Sequence, residues 1–270
     1  MNTWKVGKRI LALALGVLLV STTSMGDVNA AGTKVKSGSV SYLPDGTINF
    51  VTEYSYDVQG NLVRQVVTDG LGNLSSDTYY YYDESGRQTK GTLIVYYDGV
   101  ATITDSVYLY DTAGNLAFIQ NTDVTGALMS MVAYVYDAAG NQTQSITVGA
   151  DGAVDLMVLN SYDAAGNKTG TQYYTGTCAL MSSTSTTYNK AGNEKLAVSL
   201  QSNGEVGTTT EYKYDKQGRL KGMNVIVPEI PFCNYFVTYE LDADGDWVKM
   251  TNKNNAGTVT GSTEYFYTYI

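Results

Sequence analysis

The sequence predicts an all-β protein: an antiparallel meander of about eighteen strands in tandem hairpin repeats of ~26 residues, curled into a barrel-like or coiled shell. Three observations support this fold class. A turn motif recurs at near-constant spacing, paired Tyr residues precede it at strand spacing, and the few Pro residues fall at turn positions. No window outside the first thirty residues has a convincing helical period.

The turn motif consists of an aromatic or apolar residue, then Asp or Asn, two further residues and Gly. The Asp or Asn can accept a hydrogen bond from the backbone two residues ahead, and the Gly supplies the positive φ of a type I turn with a G1 bulge. We therefore interpret the motif as a structural hairpin turn. Its eight copies contain Asp57 and Gly60, Asp83 and Gly86, Asp111 and Gly114, Asp137 and Gly140, Asp163 and Gly166, Asn189 and Gly192, Asp215 and Gly218, and Asp242 and Gly245.

Tyr residues stand one and three positions before most of these Asp residues, as Tyr54 and Tyr56 do before the first. Side chains two residues apart lie on the same face of a strand. Asn160, Thr186 and Leu241 interrupt the pattern. We expect the Tyr face inside the curled sheet, where large rings with hydroxyl groups can pack, and Thr, Ser and Asn outside.

A second turn signal follows about half a period after each motif, so that consecutive strands, beginning near Ser37 and ending at Tyr269, form one meander. An open ribbon of about eighteen strands would be ~85 Å wide, and because open sheets rarely pass ~10 strands, the array should curl. Pro228-Glu229-Ile230-Pro231 replaces one of these turns. The others are assigned to Asp45-Gly46, Asp69-Gly70, Asp98-Gly99, Gly126, Asp151-Gly152, Gly176, Asn203-Gly204 and Gly257.

The first thirty residues have the pattern of an export signal. A basic start precedes an apolar run from Ile10 to Val20 and a small-residue site at Val28-Asn29-Ala30. We expect a signal peptide at 1–30, cleaved after about Ala30, and a secreted repeat domain at 31–270. Because the run is about half of the ~20 residues that span a bilayer, we expect no membrane span after signal removal.

The chain is acidic, with 17 basic and 26 acidic residues and a net charge of −9. Loss of Lys5, Lys8, Arg9 and Asp27 with the signal leaves 14 basic and 25 acidic residues, a net charge near −11. This sign disfavours nucleic acid and anionic membranes, both of which attract Lys and Arg. The acidity itself is typical of a chain that stays soluble after secretion.

The repeated motif resembles the YD repeat of RHS-type proteins. Tyr110-Asp111-Thr112-Ala113-Gly114-Asn115 and Tyr214-Asp215-Lys216-Gln217-Gly218-Arg219 carry the resemblance, which covers about Ser37 to Ile270. It implies long antiparallel hairpins that spiral into a hollow β-shell. In that family larger members enclose a C-terminal toxin, and others act in adhesion or cell-surface recognition. The chain contains no Asp-Pro autocleavage motif and no C-terminal cargo, so toxin delivery is not expected.

Several kinds of chemistry are excluded by residue type. The chain contains no His, which removes Ser-His-Asp and Cys-His catalysis and every His-ligated metal site. Phosphate-binding loops are missing, and no cofactor is expected. A single row of turn carboxylates ~9.6 Å apart cannot supply the six to eight oxygens of a Ca²⁺ site, so no metal is expected. Paired carboxylates need no motif, so a carboxylate-based hydrolase is the remaining enzymatic alternative.

The two cysteines, Cys178 and Cys233, should face the Tyr side of strands 12 and 16. Strands four apart in a flat sheet are ~19 Å apart, whereas a disulfide needs Cα atoms within ~7 Å. Secretion favours oxidation of the two thiols to a disulfide, whereas the distance between their strands disfavours it. The sequence leaves the pairing open and slightly favours two free thiols.

The predicted function is non-enzymatic recognition outside the cell, with a glycan, a cell-envelope component or a cell-surface protein as the candidate partner. Binding residues are unassigned, and we expect them where the repeats differ, chiefly in the second turns and Pro228 to Pro231. A purely structural shell module is the main alternative. An outer-membrane barrel would require an apolar outward band, and the non-Tyr face of Asn141 to Gly149 is assigned Asn, Thr and Ser.

Overall fold

A computed structural model describes residues 33–270, which form eighteen antiparallel strands and one short 3-10 helix. The predicted signal peptide lies outside the described residues. Within them, no helix combines the length and apolarity needed to cross a membrane. The strands are β1 (Lys34–Tyr42), β2 (Ile48–Tyr56), β3 (Leu62–Asp69), β4 (Leu74–Tyr82), β5 (Gln88–Tyr97), β6 (Val100–Tyr110), β7 (Leu116–Asp123), β8 (Leu128–Tyr136), β9 (Gln142–Gly149), β10 (Val154–Tyr162), β11 (Lys168–Thr175), β12 (Leu180–Tyr188), β13 (Glu194–Gln201), β14 (Val206–Tyr214), β15 (Leu220–Ile226), β16 (Tyr235–Leu241), β17 (Trp247–Asn254) and β18 (Val259–Tyr269).

The sheet closes on itself. Each strand pairs with its neighbours in the chain, and β1 pairs both with β2 and with β18, from Lys34 opposite Tyr269 to Tyr42 opposite Ser262. Closure removes the unpaired edges that an open sheet exposes. The predicted all-β meander is therefore confirmed, and its curled form is a closed barrel.

Hairpins at both rims use the same turn. In the first, the Gly60 amide donates to the Asp57 carbonyl (3.1 Å) and the Asp57 amide to the Asn61 carbonyl (2.9 Å), while Gly60 has φ 87°. This is a type I turn followed by a residue in the left-handed conformation, which residues with a side chain rarely adopt. Two connections between described strands differ: Asp98-Gly99, a two-residue turn with both φ positive, and the segment between β15 and β16.

Two second turns differ from their predicted positions. After β3 the left-handed residue is Gly72, with φ 86°, and not Gly70. After β11 it is Cys178, with φ 62°, and not Gly176. These two predictions were wrong because they rested on an Asp-Gly pair and on an isolated Gly. Asp69 instead begins the same four-residue turn as the Asp of the YD motif does.

Both cysteines lie in connections and not on the Tyr side of a strand. Cys178 occupies the β11–β12 turn and Cys233 ends the short helix Pro231–Cys233. Both are exposed and unpaired. The prediction that both cysteines lie on strands was wrong. It treated all residues between each cysteine and the next Asp or Asn of the motif as strand, although some of them belong to the connection.

The two faces of the sheet differ in exposure. Tyr80, on the Tyr face, is 4% exposed, whereas Leu109 and Val135, on the opposite face, are 49% and 47% exposed. We therefore identify the Tyr face as the inner wall of the barrel. No side chain among the described residues is less than 2% exposed, and barrels of 16–18 strands are wide enough to leave a lumen.

The expected placement of Thr, Ser and Asn was wrong for much of the wall. In β9, Ser145 lies opposite Tyr134 and so shares the inner face, while Ile146 and Val148 point outward. Polar inner residues also bond across strands: the Ser106 hydroxyl donates to Asn121 Oδ1 at 2.7 Å. The lumen therefore combines Tyr rings with hydroxyl and amide groups.

The outer wall has two different sectors. Across β6–β10 it is mainly apolar, and across β16–β18 it carries cross-strand charge pairs such as Glu240 opposite Lys249 and Lys249 opposite Glu264. Opposite charges facing each other stabilise strand pairing.

Candidate functional site in the irregular wall

The YD turns hold themselves closed through their own carboxylates. In the first, Asp57 Oδ1 accepts from the amides of Gln59 (2.9 Å) and Asn61 (2.8 Å), and Oδ2 accepts from Asn61 Nδ2 (2.9 Å). These bonds, that from the Asn61 side chain above all, lower the pKa of Asp57. The carboxylates are therefore occupied within their own turns. The eight turns line one rim and are not brought together into one site.

A second device links most YD turns to the one before them. The Tyr directly before a turn donates its hydroxyl to the carbonyl that follows the previous turn, as Tyr82 does to Leu62 at 2.8 Å. We call this bond the tyrosine staple. It explains why the Tyr nearest the Asp recurs so regularly. Staples join Tyr82 to Leu62, Tyr110 to Gln88, Tyr136 to Leu116, Tyr162 to Gln142 and Tyr188 to Lys168, and the same hydroxyl-to-carbonyl bond joins Tyr56 to Lys36 in β1 and Tyr267 in β18 to Trp247.

The staple is missing from β13 to β16, which we call the irregular wall, in contrast to the regular wall from β1 to β12. Within the described residues Tyr214 makes no such bond, and Leu241 has no hydroxyl to donate. Here Glu194 stands close to Tyr212, and burial together with this carboxylate raises the pKa of Tyr212 to about 12.

A cavity of about 500 Å³ opens on the inner face where the irregular wall meets β17 and β18. Tyr239 stacks on Trp247 beside it, with ring centroids 4.5 Å apart and planes inclined by 20°. Tyr235, at the start of β16, keeps 41% of its surface exposed. The lining is Met223, Tyr235, Val237, Tyr239, Met250, Asn252 and Thr260.

The connection that precedes Tyr235 is the one most unlike the other hairpins. It carries the short helix Pro231–Cys233 and is closed by the Asn234 side chain, whose Oδ1 accepts from the Val227 amide at 2.6 Å. Phe232 on this segment is 83% exposed. The sequence analysis singled out Pro228 to Pro231 as a place where repeats differ. It did not predict the cavity, because the lining residues come from four strands.

The seam of the barrel contains a cluster that the sequence analysis missed. Lys34 Nζ lies 2.6, 2.8 and 2.9 Å from carboxylate oxygens of Asp242, Asp244 and Asp246. The three carboxylates, that of Asp242 foremost, raise the pKa of Lys34. The sequence feature that could have revealed this cluster is the alternation of Asp residues in the last YD turn. It places three acidic side chains on one loop, whereas one carboxylate was expected in each turn. The Lys34 ammonium is their counter-ion.

The seam also places a cation inside the lumen. Lys36 Nζ lies 4.4 Å from the ring centroid of Tyr265 and 5.1 Å from that of Tyr54. Burial lowers the pKa of Lys36. The two rings offer their negative faces to the ammonium, a contact that partly replaces lost hydration.

The fold and its cavity define a closed all-β repeat barrel with an open lumen. No protein-family model and no curated protein matches the chain. The YD-repeat resemblance therefore remains a prediction from the residues that carry it.

Among solved structures, a chain of the Photorhabdus luminescens Tc holotoxin pore is 15% identical, over 77% of this chain and 15% of that one, with TM-score 0.33. This chain thus spans about a sixth of that toxin chain or less. Porin-like proteins from Bacteroides uniformis and Bacteroides vulgatus are each 11% identical. They cover 86% and 87% of this chain and 98% and 99% of their own, with TM-scores of 0.47 and 0.33.

Proposed function

We propose that the chain is a secreted, non-enzymatic recognition module that binds a carbohydrate segment of an extracellular or cell-envelope surface in the cavity of the irregular wall. The observation that carries this proposal is the cavity of about 500 Å³, whose lining combines Tyr rings with uncharged polar side chains. A purely structural shell would need neither an open cavity nor an exposed ring within it.

The cavity lining suits a sugar in chemistry and size. The apolar faces of sugar rings stack on aromatic rings, and Tyr235 and Tyr239 stand four residues apart on the inner face, with Val237 between them. Asn252 and Thr260 can pair with sugar hydroxyls, which would otherwise lose their bonds to water. A volume of about 500 Å³ lies within the range of ~300–1,000 Å³ typical of small-molecule sites.

Two observations favour recognition over hydrolysis. A glycoside hydrolase needs two carboxyl groups about 5–10 Å apart across its substrate, and the lining of this cavity contains no carboxylate. A second cavity of about 670 Å³ includes Asp111 and Asp137. Both of these carboxylates are committed to hydrogen bonds within their own turns.

The proposal is tested by titrating the chain with soluble fragments of neutral, acidic and amino glycans and of peptidoglycan. Trp247 provides the signal: the chain has two Trp, and the other, Trp4, lies in the predicted signal peptide. We expect the emission of Trp247 to change with at least one of these probes, and calorimetry to give the affinity.

The matched variants are Tyr235→Ala in the cavity and Tyr81→Ala, an exposed Tyr on the outer face of the regular wall. We expect the first to lose binding about tenfold or more, and the second to bind like the parent. If no glycan, peptidoglycan fragment or intact cell surface binds, the structural alternative is correct. Equal losses in both variants would place binding elsewhere.

A further inference from the structure

The proposed function does not use the apolar outer sector of β6–β10. Its members share the face opposite the Tyr residues across five neighbouring strands, and two polar side chains, Gln120 and Gln144, stand in register among them. The apolar members are Ile103, Val107, Leu109, Phe118, Met131, Ala133, Val135, Ile146, Val148, Met157 and Leu159. Exposed apolar patches of several hundred Å² commonly mark interaction sites.

The sector is also electrically neutral. Asp105 on β6 is the acidic side chain facing it, and that carboxylate lies 3.1 Å from Lys90 Nζ and accepts from the Thr92 hydroxyl at 2.6 Å. The chain as a whole has a net charge of −9. Two copies that meet at this sector therefore bring no unpaired negative charge into the contact itself.

We propose that this sector is the contact surface between two copies of the chain. A symmetric pair would place the same strands of each copy against one another, with Phe118 near the centre. Sheet faces pack in this way at ~10 Å separation, and the aliphatic side chains of the sector would interdigitate between them.

The size of the sector sets the strength of the contact. Five strands ~4.8 Å apart and about five residues high, at ~3.4 Å each, project roughly 400 Å². Stable complexes bury ~800 Å² per partner, and weak, transient ones less than ~600 Å². The pair is therefore a weak dimer that forms and dissociates with concentration.

Sedimentation velocity over about 5–200 µM, the range in which weak interfaces dissociate, tests the proposal. We expect the sedimentation coefficient to rise with concentration, and the dimer fraction to increase in sodium sulfate, which strengthens apolar burial. Phe118→Asp should weaken association about tenfold or more, because it places a charge at the centre of an apolar contact.

The matched control is Phe266→Asp, the same change at an exposed outer Phe in the charged sector. It should associate like the parent. Val135→Asp provides a second variant if Phe118→Asp does not fold, as judged by circular dichroism. A parent that stays monomeric over the whole range, or a control that dissociates equally, overturns the proposal. Binding of neutral lipid vesicles by a monomeric parent, lost in Phe118→Asp, would assign the sector to lipid and also overturn it.

Discussion

The regular and irregular walls begin from the same repeat but differ in how their strands are tied together. In the regular wall, each YD turn is joined to the previous one by a tyrosine staple, and Tyr80 is almost fully buried. In the irregular wall the staples are missing, and Met and Val replace much of the ring surface around the cavity. The tyrosine staple ties consecutive repeats of the regular wall together, and where it is absent the inner face leaves room for a ligand.

Truncating one buried ring in each wall should give the largest effect. Tyr80→Ala should cost about 3–5 kcal/mol of unfolding free energy, because it removes a closely packed ring. Tyr239→Ala should cost about 2 kcal/mol, because it borders existing free volume that Met223 and Met250 can enter. Denaturant unfolding measures both losses of unfolding free energy. Tyr81→Ala is the exposed control and should cost less than about 1 kcal/mol. Equal costs for Tyr80 and Tyr239 would contradict the difference in packing.

The staple itself can be removed from one wall and added to the other. Tyr136→Phe should destabilise the regular wall by about 1 kcal/mol, the typical net value of one hydrogen bond. Leu241→Tyr should supply a hydroxyl in the irregular wall that can reach the carbonyl of Leu220, and should recover up to about 1 kcal/mol. Chemical denaturation of the two variants gives both values. If Leu241→Tyr destabilises the chain, the absence of staples does not by itself explain how the irregular wall differs from the regular wall.

Alkaline pH should weaken both walls, for partly different reasons. Burial raises the pKa of Tyr80 to about 12, and burial together with Glu194 raises that of Tyr212 to about 12. A folded-state pKa above the unfolded value of 10.0 gives stability that is complete below pH 10 and is lost as pH rises towards 12. Melting curves across this window should show the loss.

Glu194→Gln separates Tyr212 from Tyr80 in the same experiment. Removing the carboxylate should let Tyr212 ionise at lower pH while Tyr80 is unchanged, because Glu194 contributes to the shift of Tyr212 alone of the two. Tyrosinate absorbance against pH follows the titration. A titration curve identical to that of the parent would rule out the role assigned to Glu194.

The sequence predicts the repeated parts well because their causes are local. A turn such as Asp57 to Gly60 is fixed by one carboxylate and one positive φ, and both are visible in the motif. The barrel follows from repetition. The cavity was not predictable, because its lining residues come from β15 to β18 and are brought together by the register of these strands, which the irregular connection between β15 and β16 and the bulges near the turns determine.

The error over the outer face has a similar origin. The sequence analysis placed Ser145 outward and Ile146 inward, although the first lies opposite Tyr134. A bulge at each turn shifts the register by one residue, and a shift by one moves every following side chain to the other face. Alternation counted through the turn from Asp137 therefore gave the wrong face, and with it the apolar sector was missed.

The smallest expected effect concerns the seam, where closure depends on Lys34 and the last YD turn. Lys34→Met should lower the melting temperature at low salt, because Asp242, Asp244 and Asp246 would then repel one another without their counter-ion. The difference from the parent should shrink in about 1 M salt, where screening acts within ~3 Å. Lys190→Met, in an exposed turn, is the control and should match the parent at every salt concentration. A deficit in Lys34→Met that persists unchanged at high salt would mean that the contact of the Lys34 ammonium with the Tyr267 ring, 5.2 Å from its centroid, and not its pairing with the three carboxylates, supports the seam.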